Sequence, residues 1–177
     1  MNKIFIVTGI AAATAAGCAT PPARLQAPVG PNPFVAKAPD PQGNLEVFSA
    51  CMQQNPEGQS PGLEATMPGF SYYVRTGYSI YDSNGKLVRS VGSNSGSDLP
   101  PAPRIIALPP GTYRVEALAS VRSGEWTMVP VVVEAGSTTK VHFDGHWAPP
   151  AHTPGSELVY SPAGYPLGWR ANIAPGS

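Results

Sequence analysis

The chain has 177 residues, a formal net charge of zero and only 12% charged side chains. A neutral chain of this length has room for one domain and no field to hold a polyanion, so nucleic acid is not an expected partner. Its 22 prolines and 19 glycines gather toward the two ends, which leaves a middle able to bury a core.

The first seventeen residues read as a secretory leader: a basic start at Lys3, an apolar run from Ile4 to Val7, then small residues, too short to remain as a membrane span. The leader ends in Ala15-Ala16-Gly17-Cys18. This motif resembles the lipobox of bacterial lipoproteins, in which small residues precede a cysteine that is acylated. The resemblance implies lipidation at Cys18, a palmitate-type anchor in a membrane, and, with Ala19 rather than Asp next in line, the cell outer membrane facing the periplasm. Several acyl chains on one cysteine would anchor stably, since each buried CH₂ contributes about 0.8 kcal/mol. The other cysteine, Cys51, would then be left without a partner, and it reads as a small buried core residue beside Phe48 and Met52.

Residues 18–43 carry seven prolines and few large apolar side chains, a composition that predicts an extended tether. The β domain is expected over residues 44–146. Residues 43–50 favour a strand through Leu45, Val47 and Ser49, although Leu45, Phe48 and Met52 also sit at helical spacing; residues 53–71 read as a long loop, and Tyr72–Arg75 and Tyr78–Asp82 as further strands. Asp82-Ser83-Asn84-Gly85 predicts a hairpin, because Asn-Gly tolerates the positive φ that a tight reversal needs. A flexible loop follows over Gly92–Asp98.

Residues 104–143 read as four successive strands with a turn signal between each pair. Pro109-Pro110-Gly111 suits a type II turn. Beyond it Tyr113, Val115, Ala117, Ala119 and Val121 share one face, with Leu118 out of step with the pattern. In the last of the four strands Thr139, Val141 and Phe143 are expected inward, with Lys140, His142 and Asp144 outward. Residues 147–177 read as an irregular tail holding one small hairpin, its Leu158, Tyr160, Leu167 and Trp169 available to pack on the domain.

Together, Tyr78-Ser79-Ile80-Tyr81, Asn84-Gly85-Lys86-Leu87, Leu108-Pro109-Pro110-Gly111-Thr112-Tyr113-Arg114-Val115 and Val131-Val132-Val133-Glu134-Ala135-Gly136-Ser137 resemble the carboxypeptidase-regulatory-like (transthyretin-like, PEGA-like) domain of bacterial envelope proteins. The resemblance implies an all-β fold, a single antiparallel β-sandwich of about seven strands between an irregular proline-rich linker and tail. It carries over no catalytic residue and no cofactor.

The search for chemistry gives three readings. No nucleophile elbow, phosphate loop or carboxylate pair stands out, which favours a non-catalytic, structural or protein-interaction module. Tyr72, Tyr73 and Tyr81 offer an aromatic strip for a glycan such as peptidoglycan. His142, Asp144 and His146 lie close enough in sequence to raise a metal-dependent hydrolase, although their spacing matches no compact metal motif.

Overall fold

The alternating runs become strands. The computed structural model describes residues 24–25, 27–54, 72–96, 100–120 and 124–172, and Cys18 with its leader lies outside them. In chain order the strands are β1 (Arg24–Leu25), β2 (Val29–Gly30), β3 (Gly43–Phe48), β4 (Cys51–Gln54), β5 (Tyr72–Arg75), β6 (Tyr78–Asp82) and β7 (Leu87–Val91). They continue as β8 (Asn94–Gly96), β9 (Ile105–Leu108), β10 (Gly111–Ser120), β11 (Glu125–Val133), β12 (Thr138–His142), β13 (Leu158–Tyr160) and β14 (Pro166–Arg170). The described residues hold no α-helix, only a short 3-10 turn at Gly155–Glu157.

The architecture is sandwich-like and all-β, but it is not one seven-stranded antiparallel sandwich. The described residues form three sheets: a large one ordered β13-β14-β2-β11-β10-β6-β7 with β1 also on β11, a second ordered β12-β3-β9, and a third ordered β4-β5-β8. Three pairings are parallel, β1 and β2 on β11 and β3 on β12. The large and second sheets share one core, in which Ile80, Val115, Val129 and Val131 meet Leu45, Val47, Ile106 and Val141. Each such side chain contributes roughly 1.5–3 kcal/mol by leaving water. The third sheet prolongs this body: β4 follows β3, β5 leads into β6, and β8 follows β7, so strand pairing reappears inside the segment read as a loop over Gly92–Asp98.

Of the connections in residues 104–143, one is a hairpin between neighbours. β10 pairs with β11, whereas β9 pairs with β3 and β12 leaves for β3. Pro109-Pro110-Gly111 is therefore a corner between sheets, and Gly111 does not take the positive φ a type II turn requires. The Tyr113 hydroxyl donates to the Pro109 carbonyl at 2.9 Å and braces that corner, as tyrosine corners do in other sandwiches. Tyr113, Val115 and Ala117 are buried as the alternation predicts. The irregularity at Leu118 coincides with a register shift between Leu118 and Ser120, a bulge that changes which face each residue presents. The Asn84-Gly85 hairpin forms as expected, with Gly85 at φ 82° and the Asp82 carboxylate accepting from the Asn84 and Lys86 amides.

The described parts of the tether and of the tail are more ordered than their composition suggests. The tether supplies β1 and β2, and the Val29 side chain is fully buried. The tail forms its hairpin, β13 on β14, and β14 then pairs with β2. Leu158, Leu167 and Trp169 pack inward, while Tyr160 stays exposed. Gly168 lets this happen. A Cβ there would stand 2.6 Å from Val29 Cγ1 and 2.7 Å from the Lys140 carbonyl oxygen, so only glycine admits β14 against both β2 and β12.

Candidate binding cleft

The seam where β14 and β2 meet β12 opens into a cleft of about 620 Å³. One wall is the strap that follows β2, with Pro31, Asn32, Val35 and Ala36 lining the space. Proline removes donors and fixes φ, so beyond an isolated bridge between Pro31 and Thr139 the strap is held by side chains and its ends. The Asn32 side chain accepts from the Phe34 amide at 2.9 Å, and Ala38 donates to the Gly136 carbonyl at 2.7 Å. Gly136 has φ 67°, and a Cβ on it would collide with the Ala38 carbonyl, so the strap lies directly on the β11–β12 turn. A Lys37–Glu134 ion pair of 2.7 Å adds little there, because Lys37 is solvated.

The floor is the outward row of β12, Thr138, Lys140 and His142, and the far wall is Trp147, Ala148 and Pro150 with Gly168 and Trp169 of β14. The rings form one connected group. Phe48 stacks on His142 at 4.2 Å and 17°, and Trp147 meets Trp169 edge-on at 6.0 Å. Phe34 from the strap meets the same Trp169 edge-on at 5.3 Å.

His142 faces away from the shared core, as the alternation predicts, but aromatic rings cover it and it is 7% exposed. Burial holds its pKa down at about 4; Asp144 opposes that shift, while Lys140 and Arg75 reinforce it. The imidazole is neutral at neutral pH. The Lys140 ammonium lies 3.0 Å from the Glu46 carboxylate and 5.9 Å above the Phe48 ring, so the one cation on the cleft floor is already answered. Behind the stack, buried Arg75 donates to the carbonyls of Ser49 and Pro101 and reaches Asp144 at 3.4 Å, with its guanidinium 5.6 Å over Phe48.

The residues singled out from sequence fare differently. His142 Nδ1 is 3.9 Å from Asp144 Oδ1, and the contact between His146 and Asp144 is a backbone amide at 3.4 Å. No group of three His, Cys, Asp or Glu side chains among the described residues could hold a metal ion, so the His142, Asp144, His146 set is not assembled. His142 keeps its Nδ1 edge toward Asp144 while its ring faces stack on Phe48 and Trp147, and His146 approaches Asp144 through its backbone amide and not its imidazole.

Tyr73 and Tyr81 lie in different sheets. Tyr73 belongs to the third sheet and lines a separate cavity of about 440 Å³ with Cys51, Arg75 and His146. Tyr81 belongs to the large sheet and donates to Glu116 at 3.1 Å. Tyr72 lies on β5, and its side chain is outside the described residues. Cys51 is a half-buried free thiol whose pKa burial pushes up, a state that disfavours the reactive thiolate.

Sequence reasoning grouped Trp147 and Trp169 with the irregular tail and so missed the cleft. The signal was one tryptophan ahead of a predicted hairpin and another within it, with nothing local to say that Trp169 would meet β12. No protein-family model, curated protein or solved structure matches this chain, so the resemblance to carboxypeptidase-regulatory-like domains rests on the motifs that suggested it.

Proposed function

We propose that the protein is a non-catalytic binding module of the bacterial envelope, tethered to a membrane by acylated Cys18, and that its ligand is a neutral glycan held in the cleft between the strap, β12 and Trp147. The observation that carries this reading is the ring group of Phe34, Trp147 and Trp169 beside a floor whose only cation is paired with Glu46. Sugar rings present an apolar face to aromatic walls and hydroxyls to polar groups, and Thr138, Ser137 and Asn32 supply polar groups in the same cleft. An ionic ligand would meet no unanswered charge there.

Calorimetric titration with neutral oligosaccharides and peptidoglycan fragments tests it. Binding is expected to weaken at least tenfold, about 1.4 kcal/mol, in Trp147→Ala and to be unchanged in Tyr73→Ala. Absence of binding to every glycan tried, or loss in Tyr73→Ala with Trp147→Ala unaffected, would rule the reading out.

A second reading, a protein-interaction module, is favoured by β7. It is an edge strand of the large sheet, and Leu87 and Val88 on it are 50% and 42% exposed. An edge of this kind accepts an added strand. A photo-crosslinking residue at Val88 should then trap a specific envelope protein in cells where one at Thr112 does not; equal labelling from both would remove this alternative.

A further inference from the structure

The parallel pairing of the N-terminal strands fixes which end of the fold the anchor reaches. Arg24 lies opposite Thr127 and Leu25 opposite Met128, whereas Val29 lies opposite Val131. The chain therefore arrives at the start of β11, travels along it, and only then forms the strap, which rests on the turn beyond Val133. From Thr127 to Val133 is roughly 20 Å of strand, so the strap and the arrival point lie at opposite ends of the large sheet.

Covalent reach sharpens this. Cys18 to Arg24 is six residues, which can span at most roughly 20 Å, where a free tether extending to residue 43 would have spanned several times that. At the arrival end stands Trp126, next to Thr127 and 48% exposed. It borders a shallow depression whose apolar lining includes Val74, Val91 and Leu118. An exposed indole beside apolar side chains suits the headgroup boundary of a bilayer, where tryptophan is enriched because one part of the ring system is apolar and its N–H is wet.

We infer that the Trp126 end of the sheet rests on the lipid surface, its indole in the interfacial layer, and that the strap end of the cleft is held away from the membrane toward the surrounding compartment. The inference rests on acylation at Cys18 and is independent of what the cleft binds.

The test uses the full acylated protein in phosphatidylcholine vesicles with and without bromine on the acyl chains, reading tryptophan fluorescence. Of the three tryptophans, Trp147 and Trp169 belong to the cleft, so bromolipid quenching of the wild type should fall by more than half in Trp126→Phe. Equal quenching in both proteins, or none in either, overturns the orientation while leaving the anchor standing if the protein floats with the vesicles. Failure to float removes anchor and orientation together. Glycan binding by the cleft would survive every one of these results.

Discussion

His142 and Trp147 stack with ring centroids 4.9 Å apart and planes 8° from parallel, so the indole is one of the two lids that keep water from the imidazole. Removing that lid should release the histidine. In Trp147→Ala the His142 pKa is expected to climb from about 4 toward its ordinary value of 6.5, because desolvation is the largest cause of the shift. NMR titration of the imidazole carbons would show it; a midpoint still near 4 would mean that Phe48 and the backbone suffice to bury the ring.

The same burial makes stability pH-dependent. With its folded-state pKa below the unfolded one, the unfolded chain takes up this proton first as pH falls. Stability from the neutral imidazole is complete above about pH 6.5, is lost between 6.5 and about 4, and changes no further below that. Two and a half pH units correspond to a loss on the order of 3 kcal/mol. Denaturant unfolding of wild type and His142→Phe across this window checks it, since the phenylalanine variant should lack this part of the slope. Parallel pH profiles would contradict the assignment.

Gly168→Ala should be disruptive despite adding one methyl group. Its Cβ would stand 2.7 Å from a backbone oxygen of β12, which cannot swing aside as a flexible side chain can. A loss of roughly 1–3 kcal/mol is expected, the usual range for overpacking. Thermal unfolding near the wild-type midpoint would show that β14 can shift without penalty.

Arg75 is the buried hub between the second and third sheets, and it pairs with an Asp144 side chain that is only 8% exposed. Arg75→Met leaves that carboxylate buried without its cation and the Ser49 and Pro101 carbonyls without a donor. Breaking one side of such a pair typically costs about 3–5 kcal/mol. The double variant Arg75→Met with Asp144→Leu should recover much of that. No recovery in the double variant would place the energy in the two carbonyl bonds instead of the ion pair.

How much of this could be read from the residues varies with distance along the chain. The alternation over Tyr113, Val115 and Ala117 gave both the strand and its inward face, and Asn84-Gly85 gave a hairpin, because each depends on neighbours two to four residues apart. The small hairpin of Leu158–Tyr160 and Pro166–Arg170 was legible for the same reason. The partner of a strand is a different matter. Nothing within Ile105–Leu108 says that it will pair with Gly43–Phe48 and not with the strand after its own turn, and Pro109-Pro110-Gly111 fits a corner as well as a hairpin.

The sequence by itself determined the all-β class, the inward face of the central strand from Tyr113 to Ala117 and the Asn84-Gly85 turn, since backbone sterics and side-chain period act locally. Tertiary structure alone decided that proline-rich segments at the two ends would be joined through β2 and β14, and that Trp147 and Trp169 would share a cleft with His142. The first depends on contacts between residues more than a hundred positions apart, and the second on β14 reaching β12 across separate sheets, with Trp147 only five positions beyond His142. Such contacts are selected by whichever packing buries Val29, Val159 and Leu167 together, a choice no local pattern encodes.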